Sequence, residues 1–252
     1  MKNDIFFEIH KGLSREGKGR NKYTKKAFQI IPPIKNPKIL DIGCGLGAPT
    51  ILLAKLSSGN IIGIDTQQLY LDELERKAKK ENLSFNIKTL NCSMFNMDFP
   101  LESFDMIWSE GSIYIIGFEN GLKHWNKYLK PRGFLVVHEM VWLRENPPHE
   151  IEDYWKKYYP DIKTVKQCLE IISKCDYNLF DHFSLPEDAW WEIYYQPLEE
   201  LIKILKKKYK EDPKALEILN QQQEEIDLYK KYKKWYGSAF FIMQKKYFKY
   251  KR

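Results

Sequence analysis

Apolar and polar positions along this chain alternate between two rhythms. Compact apolar runs occupy residues 38–42, 61–64, 104–108 and 134–137, and a further strand is expected near 86–90. Runs of this length, bounded by turn residues, mark strands buried on both faces. Between them apolar residues recur at helical spacing, which predicts helices near residues 23–31, 49–55, 68–82 and 119–129. Pro32 and Pro33 close the first of these, and Pro131 and Gly133 close the last. Strand and helix in regular alternation imply βαβ crossovers, because parallel neighbours can be joined only by a long return connection. The chain up to Glu139 therefore predicts an α/β fold with a mostly parallel sheet and helices on both faces.

Beyond Glu139 the pattern changes. Aromatic residues become dense: Trp142, Tyr154, Trp155, Tyr158 and Tyr159, then Trp190, Trp191, Tyr194 and Tyr195. A strand is expected at residues 178–184, a long polar helical region at 197–235, and a last strand in the apolar run 238–244. The organisation expected is one domain over residues 1–252, with a core at 37–144, helical cap insertions around a late strand at 145–235, and the last strand within 236–247. Neither an internal repeat nor a low-complexity tract interrupts this reading.

The densest local chemistry lies in KILDIGCGLG, where Gly43, Gly45 and Gly47 follow the first strand and lead into a helix. A nucleotide-like ligand can approach a strand end only where the turn lacks side chains. Gly43, Gly45 and Ala48 also satisfy the G-x-G-x-x-G/A dinucleotide fingerprint, so a nicotinamide-dependent oxidoreductase stays open at this point. Asp41, at the strand terminus, is placed to face a cationic amino group. Asp65 ends the next strand and can accept hydrogen bonds from both hydroxyls of a ribose.

Composition and charge add exclusions. Hydrophobic residues make up 43% and charged residues 30% of the 252, as in ordinary globular chains rather than disordered or membrane ones. No apolar run approaches the ~18 residues needed to span a bilayer, and the N-terminal apolar stretch is too short for a secretory signal. Cys44, Cys92, Cys168 and Cys175 contain no C-x-x-C pair and read as reduced thiols, which favours a cytoplasmic location. The five histidines show no metal-ligand spacing, so no metal is expected. The formal charge of +7 comes largely from lysine-rich helical stretches and the tail, which read as solvated faces rather than a nucleic-acid surface.

With its acid, three glycines and second acid in place, the chain resembles the class I S-adenosylmethionine-dependent methyltransferases. Their first motif, acidic-x-G-x-G-x-G, is met by Asp41, Gly43, Gly45 and Gly47. The resemblance continues through Asp65 as the ribose-binding acid and Ser93 with Met94 as the adenine-contacting pair. It extends to FPLESFDMIWSEG at the fourth strand and YLKPRGFLVVHE at the fifth, spanning about residues 37–139. It is closest to small-molecule members of the ubiquinone, menaquinone, glycine and sarcosine methyltransferase types. Where the family commonly carries an acid, this chain has Ser93. The resemblance implies a Rossmann-like, seven-stranded sheet whose last strand is antiparallel, and S-adenosyl-L-methionine as cofactor. It implies cofactor contacts from Asp41, Gly43, Gly45, Gly47, Asp65, Thr66, Ser93, Met94 and Ser109, with Arg15 in the pre-core REGKG loop closing over the site.

In-line transfer from a sulfonium needs alignment more than a catalytic triad. Candidate bases are Glu110 and His138, just beyond the carboxyl ends of strands, with Glu139 behind them. Tyr114, Trp142, Trp190, Trp191 and Tyr194 are expected to line the substrate pocket, the last three because i, i+4 spacing sets them on one wall. NPPH at residues 146–149 reads as a loop. The partner expected is a small-molecule methyl acceptor, with no membrane, and the aromatic segment leaves room for a homodimer. The rival readings are a nucleic-acid or protein methyltransferase, the oxidoreductase named above, and a non-catalytic cofactor sensor.

Overall fold

A computed structural model describes Ile5, Glu8, Ile9 and residues 20–247; Arg15 and its loop lie outside the described residues. Eight strands form one sheet: β1 (Lys38–Ile42), β2 (Asn60–Asp65), β3 (Ile87–Asn91), β4 (Phe104–Glu110), β5 (Leu129–Trp142), β6 (Lys163–Thr164), β7 (Tyr177–Ser184) and β8 (Tyr236–Lys245). Seven follow the order β3-β2-β1-β4-β5-β8-β7, and the two-residue β6 pairs with the end of β5. The pairs among β1 to β5 are parallel, whereas β8 runs antiparallel to both β5 and β7. From β1 the chain winds outward through β2 and β3, then returns to lay β4 on the other side of β1. That reversal opens a crevice at the carboxyl ends of β1 and β4, where such sheets place their ligands.

Alternate residues of each strand face opposite ways and build two cores. Ile39, Met106, Trp108, Val136 and Phe240 pack under α2 (Ala48–Ser57), α3 (Gln68–Lys80) and the aromatic helices α5 (His149–Tyr158), α7 (Gln196–Lys208) and α8 (Pro213–Tyr232). Leu40, Ile107, Leu135, Val137 and Phe241 pack under α4 (Phe118–Asn126) and α6 (Val165–Lys174). Each buried side chain of Leu or Phe size contributes about 1.5–3 kcal/mol. α1 (Asn21–Ile30) adds Ala27 to the first core and leads into the Pro32–Pro33 break.

Three local differences from the sequence pattern have physical causes. The helix expected at 119–129 stops at Asn126, and β5 already begins at Leu129. Lys130 to Gly133 loop out of the pairing, so that Leu129 faces Phe104 and Phe134 faces Met106, and the Lys130 ammonium pairs with Asp105 at 2.8 Å. The polar region 197–235 is two helices, because the Asp212 carboxylate accepts from the backbone N–H of Lys214 and Ala215 at 3.0 and 3.1 Å and restarts a helix at Pro213. Finally, residues 163–184 belong to the sheet and its opposite face: α6, opened by a Thr164–Gln167 capping box, packs beside α4. The segments over the crevice are α5 and residues 188–232. Among the described residues no helix is long and apolar enough to cross a membrane.

Candidate active site

Past β1 the backbone turns through Gly43, Gly45 and Gly47, all at positive φ (+70°, +51° and +82°). Crowding adds to the conformational demand. A Cβ on Gly43 would lie 2.4 Å from the Ser112 Cβ, and one on Gly47 would lie 2.2 Å from the Leu74 Cδ1. The N–H groups of Gly43 and Cys44 donate to the Ile64 carbonyl at 2.9 and 3.0 Å, tying the turn to β2. Asp41, 1% exposed, accepts a 2.6 Å hydrogen bond from the Thr50 hydroxyl in the first turn of α2. Ser112 braces the turn from below by donating to the Ile42 carbonyl at 2.7 Å, and its hydroxyl lies 2.8 Å from that of Ser109. Ser109 is therefore buried under the turn, outside the cavity lining.

Asp65 ends β2 with each carboxylate oxygen held by a backbone donor, Gly45 N–H at 3.1 Å and Gln67 N–H at 2.9 Å. That fixes the carboxylate's orientation and leaves further lone pairs for a ligand hydroxyl. Asp65 lies opposite Asn91 in the pairing of β2 with β3, so Ser93 and Met94 follow directly alongside. The Met94 side chain packs into the core, the Ser93 hydroxyl accepts from Phe95 N–H at 3.3 Å, and Thr66 is exposed. These residues form a shelf beside the glycine turn rather than part of the cavity wall.

The cavity itself, about 330 Å³, runs from Asp41, Gly43 and Gly47 to the aromatic helices. Gly111, at φ +70° after β4, lines it with nothing within 4 Å of where a Cβ would sit, so ligand space begins at its backbone. Glu110 lines the same end, its Oε1 accepting from the Thr24 hydroxyl and the Trp108 indole, each at 2.8 Å. His138, stacked 4.6 Å from the Phe240 ring, and Glu139 line it from β5. Of the expected substrate wall, Tyr114, Trp190 and Tyr194 are present. The Trp190 indole donates to Ser238 at 2.8 Å and stacks on Tyr229, which fixes its orientation. Trp142 and Trp191 are elsewhere: Trp142 packs edge-on against Tyr236, and Trp191 carries the Lys230 ammonium over its ring.

The wall also contains residues that the sequence pattern did not single out for it, namely Trp155, Tyr158, Tyr159 and, on α8, Glu225. Glu225 accepts from the Tyr195 hydroxyl at 2.8 Å. Desolvation, then Glu139, then Glu225 raise the Tyr114 phenol above its ordinary range; burial and then Glu139 do the same to Tyr159. Both therefore stay protonated around neutral pH. Among the described residues no three His, Cys, Asp or Glu side chains converge to hold a metal ion.

A glycine turn at the switch point of a parallel sheet, an acid ending the next strand and an antiparallel strand inserted beside the fifth together define a Rossmann-like fold of the class I methyltransferase type. The sequence matches the family described as a methyltransferase domain over residues 34–211, and the chain belongs to that family. Among relatives, it is 30% identical over 119 residues to a sterol 24-C-methyltransferase of Aspergillus fumigatus, covering 44% of this chain and 31% of that protein. It is 26% identical over 196 residues to the phosphoethanolamine N-methyltransferase of Plasmodium falciparum, covering 73% and 72%. The chain thus spans less than half the length of the sterol methyltransferases it matches. Its fold is that of an S-adenosylmethionine-dependent methyltransferase from Geobacter sulfurreducens, solved with S-adenosyl-L-homocysteine, at a TM-score of 0.83 and 18% identity over 96% of this chain and 98% of that one.

Proposed function

We propose that the chain is an S-adenosylmethionine-dependent methyltransferase that acts on a small molecule enclosed in the cavity. The observation that carries this reading is the continuity of the cavity, which joins the glycine turn at Asp41, Gly43 and Gly47 to the aromatic wall at Trp155, Trp190 and Tyr194. A donor seated on the turn and an acceptor held by the wall would share one volume, which is what alignment for in-line transfer requires.

Asp65 would hold the donor's ribose, Ser93 and Met94 would border its adenine, and Asp41 with the turn's backbone would take its amino-acid end. The bound donor supplies a methyl group on a sulfonium, so the protein's own task is to align the acceptor and keep water out. Open space at Gly111 supports room for that ligand, and the Asp65 carboxylate, held by two backbone donors, keeps lone pairs for ligand hydroxyls. Glu110 is engaged by Thr24 and Trp108, which suits positioning, and His138 remains the candidate for proton transfer. The enclosed aromatic wall favours a small acceptor over a nucleic acid or a protein. The names of two relatives, a sterol and a phosphoethanolamine methyltransferase, point the same way. A cytoplasmic setting belongs to this reading, supported by the lack of any disulfide among the four cysteines.

Titration calorimetry with S-adenosylmethionine and S-adenosylhomocysteine, with NADH as control, tests the proposal. Micromolar binding of the first two is expected. Asp65→Ala should weaken it by about ten- to a hundredfold, the equivalent of about 1.5–3 kcal/mol for hydrogen bonds to a charged acceptor. Binding of NADH alone would replace the methyltransferase reading with an oxidoreductase on the same fold.

A further inference from the structure

A second cavity, about 250 Å³, lies between α5 and α8, where Glu150, Tyr154, Lys157, Tyr158, Glu224 and Leu228 line it. The same two helices line the inner cavity with Trp155, Tyr158 and Glu225. Helical spacing explains the division. On α5, Glu150, Tyr154, Lys157 and Tyr158 follow an i, i+4, i+7, i+8 stripe, while Trp155 and Tyr158, three apart, belong to the neighbouring one. On α8, Glu224 and Leu228 are four apart on the outer side, and Glu225 stands one step round from them. Tyr158 is common to both stripes and lines both cavities. Burial first, and then Glu225 of the inner cavity, raise the Tyr154 phenol of the outer one above its ordinary range, so the two spaces are close enough to share a field.

The two linings differ in character. On α5 the inner cavity meets the indole of Trp155 and the ring of Tyr158, whereas the outer one meets Lys157 and Glu150, with Glu224 across from them on α8. Glu150 is held in place by the Lys231 ammonium and the Tyr232 hydroxyl. Tyr158, the last residue of α5, is 42% exposed, with its ring 4.7 Å from that of Tyr154 and 4.9 Å from the Lys157 ammonium. Side chains with this much exposure change rotamer quickly, so the ring can give way to a ligand without disturbing a core.

We propose that the outer cavity is a distal subsite for the methyl acceptor, an elongated molecule whose methylated end lies against the inner aromatic wall and whose polar, uncharged far end passes Tyr158 to lie between α5 and α8. This rests on the methyltransferase reading above. A chain that crosses the Tyr158 ring buries its methylenes there, and Lys157, Glu224 and the Tyr154 phenol offer donors and acceptors to the far end. Because the outer lining carries both signs of charge, a neutral polar end finds partners in it without bringing a charge of its own that must be paired.

Titration calorimetry on the full chain tests this in two stages, with S-adenosylhomocysteine alone and then with it saturating. The second stage uses benzyl alcohol, 3-phenyl-1-propanol and 5-phenyl-1-pentanol, together with the methyl ether of the last. Affinity is expected to rise along the alcohols, by about tenfold or more from the shortest to the longest, and to fall in the ether, which has lost its donor. Leu228→Trp fills the outer cavity. It should remove the gain with length while leaving benzyl alcohol and S-adenosylhomocysteine binding unchanged. If Leu228→Trp does not fold, Glu224→Trp, on the exposed side of α8, is the second variant and is read in the same way. A gain with length that survives the filled cavity overturns the subsite, as does no gain at all or failure of every alcohol to bind the loaded protein. Equal or tighter binding of the ether overturns the polar far end. Failure of S-adenosylhomocysteine itself overturns the methyltransferase reading instead, so the outcomes are distinguishable.

Discussion

Gly43 has no room for even one additional carbon, because Ser112 occupies that place and the backbone is left-handed there. Gly43→Ala is expected to cost about 1–3 kcal/mol through strain at a turn that cannot relax, read as a lower urea midpoint, and to weaken S-adenosylhomocysteine binding in the same preparation. Thr50→Val keeps the shape of α2 but deprives buried Asp41 of its 2.6 Å donor. A loss of about 1–3 kcal/mol is expected in the same measurement. The roles of these positions differ in how far they could be read from the chain. Asp41, the glycines and Asp65 are legible because a strand end and its turn are a local arrangement. Thr50, Ser112 and Glu225 are not, since each reaches the site only through the packing of another element. Trp191 follows Trp190 by one residue, about 100° further round a helix, so it lies off the face that carries Trp190 and Tyr194 to the cavity.

At the scale of elements, the strands were legible wherever an apolar run met a turn residue, as at Gly43 and Asp65. The boundary between α4 and β5 was not. Pro131 and Gly133 read as the close of a helix, whereas they form a loop inside a strand pairing that exists only once Phe104 has found Leu129. The capping box of α6 is a local device on a helix that contributes no residue to the cavity lining. Thr164→Ala should therefore cost about 1 kcal/mol of stability while leaving ligand affinity unchanged, a separation that parallel urea and calorimetric titrations would show.

For the whole molecule, the buried phenols set a limit on alkaline stability. Burial is the first cause raising Tyr159, Tyr177, Tyr195 and Tyr236 above the ordinary phenol range, with nearby carboxylates such as Glu139 and Glu225 adding to it at Tyr159, Tyr195 and Tyr236. A folded-state value above the unfolded one means that the native protein retains protons the unfolded chain has lost. Their contribution is therefore fully present below the unfolded value of about 10 and declines as pH rises beyond it. Urea midpoints should hold steady up to about pH 9.5 and fall above it. Phenolate absorbance from these residues should rise together with unfolding and not before.

β8 lies between β5 and β7, although both precede it in the chain. Without it β7 has no partner in the sheet, and Trp190 loses the Ser238 hydroxyl that holds its indole. The aromatic wall therefore cannot be finished before the sheet is closed. Closing the sheet pairs residues far apart in sequence, which is the slow kind of folding event. The capacity to enclose a ligand should thus emerge in the last cooperative step, and a chain that can grip its acceptor has already completed its fold.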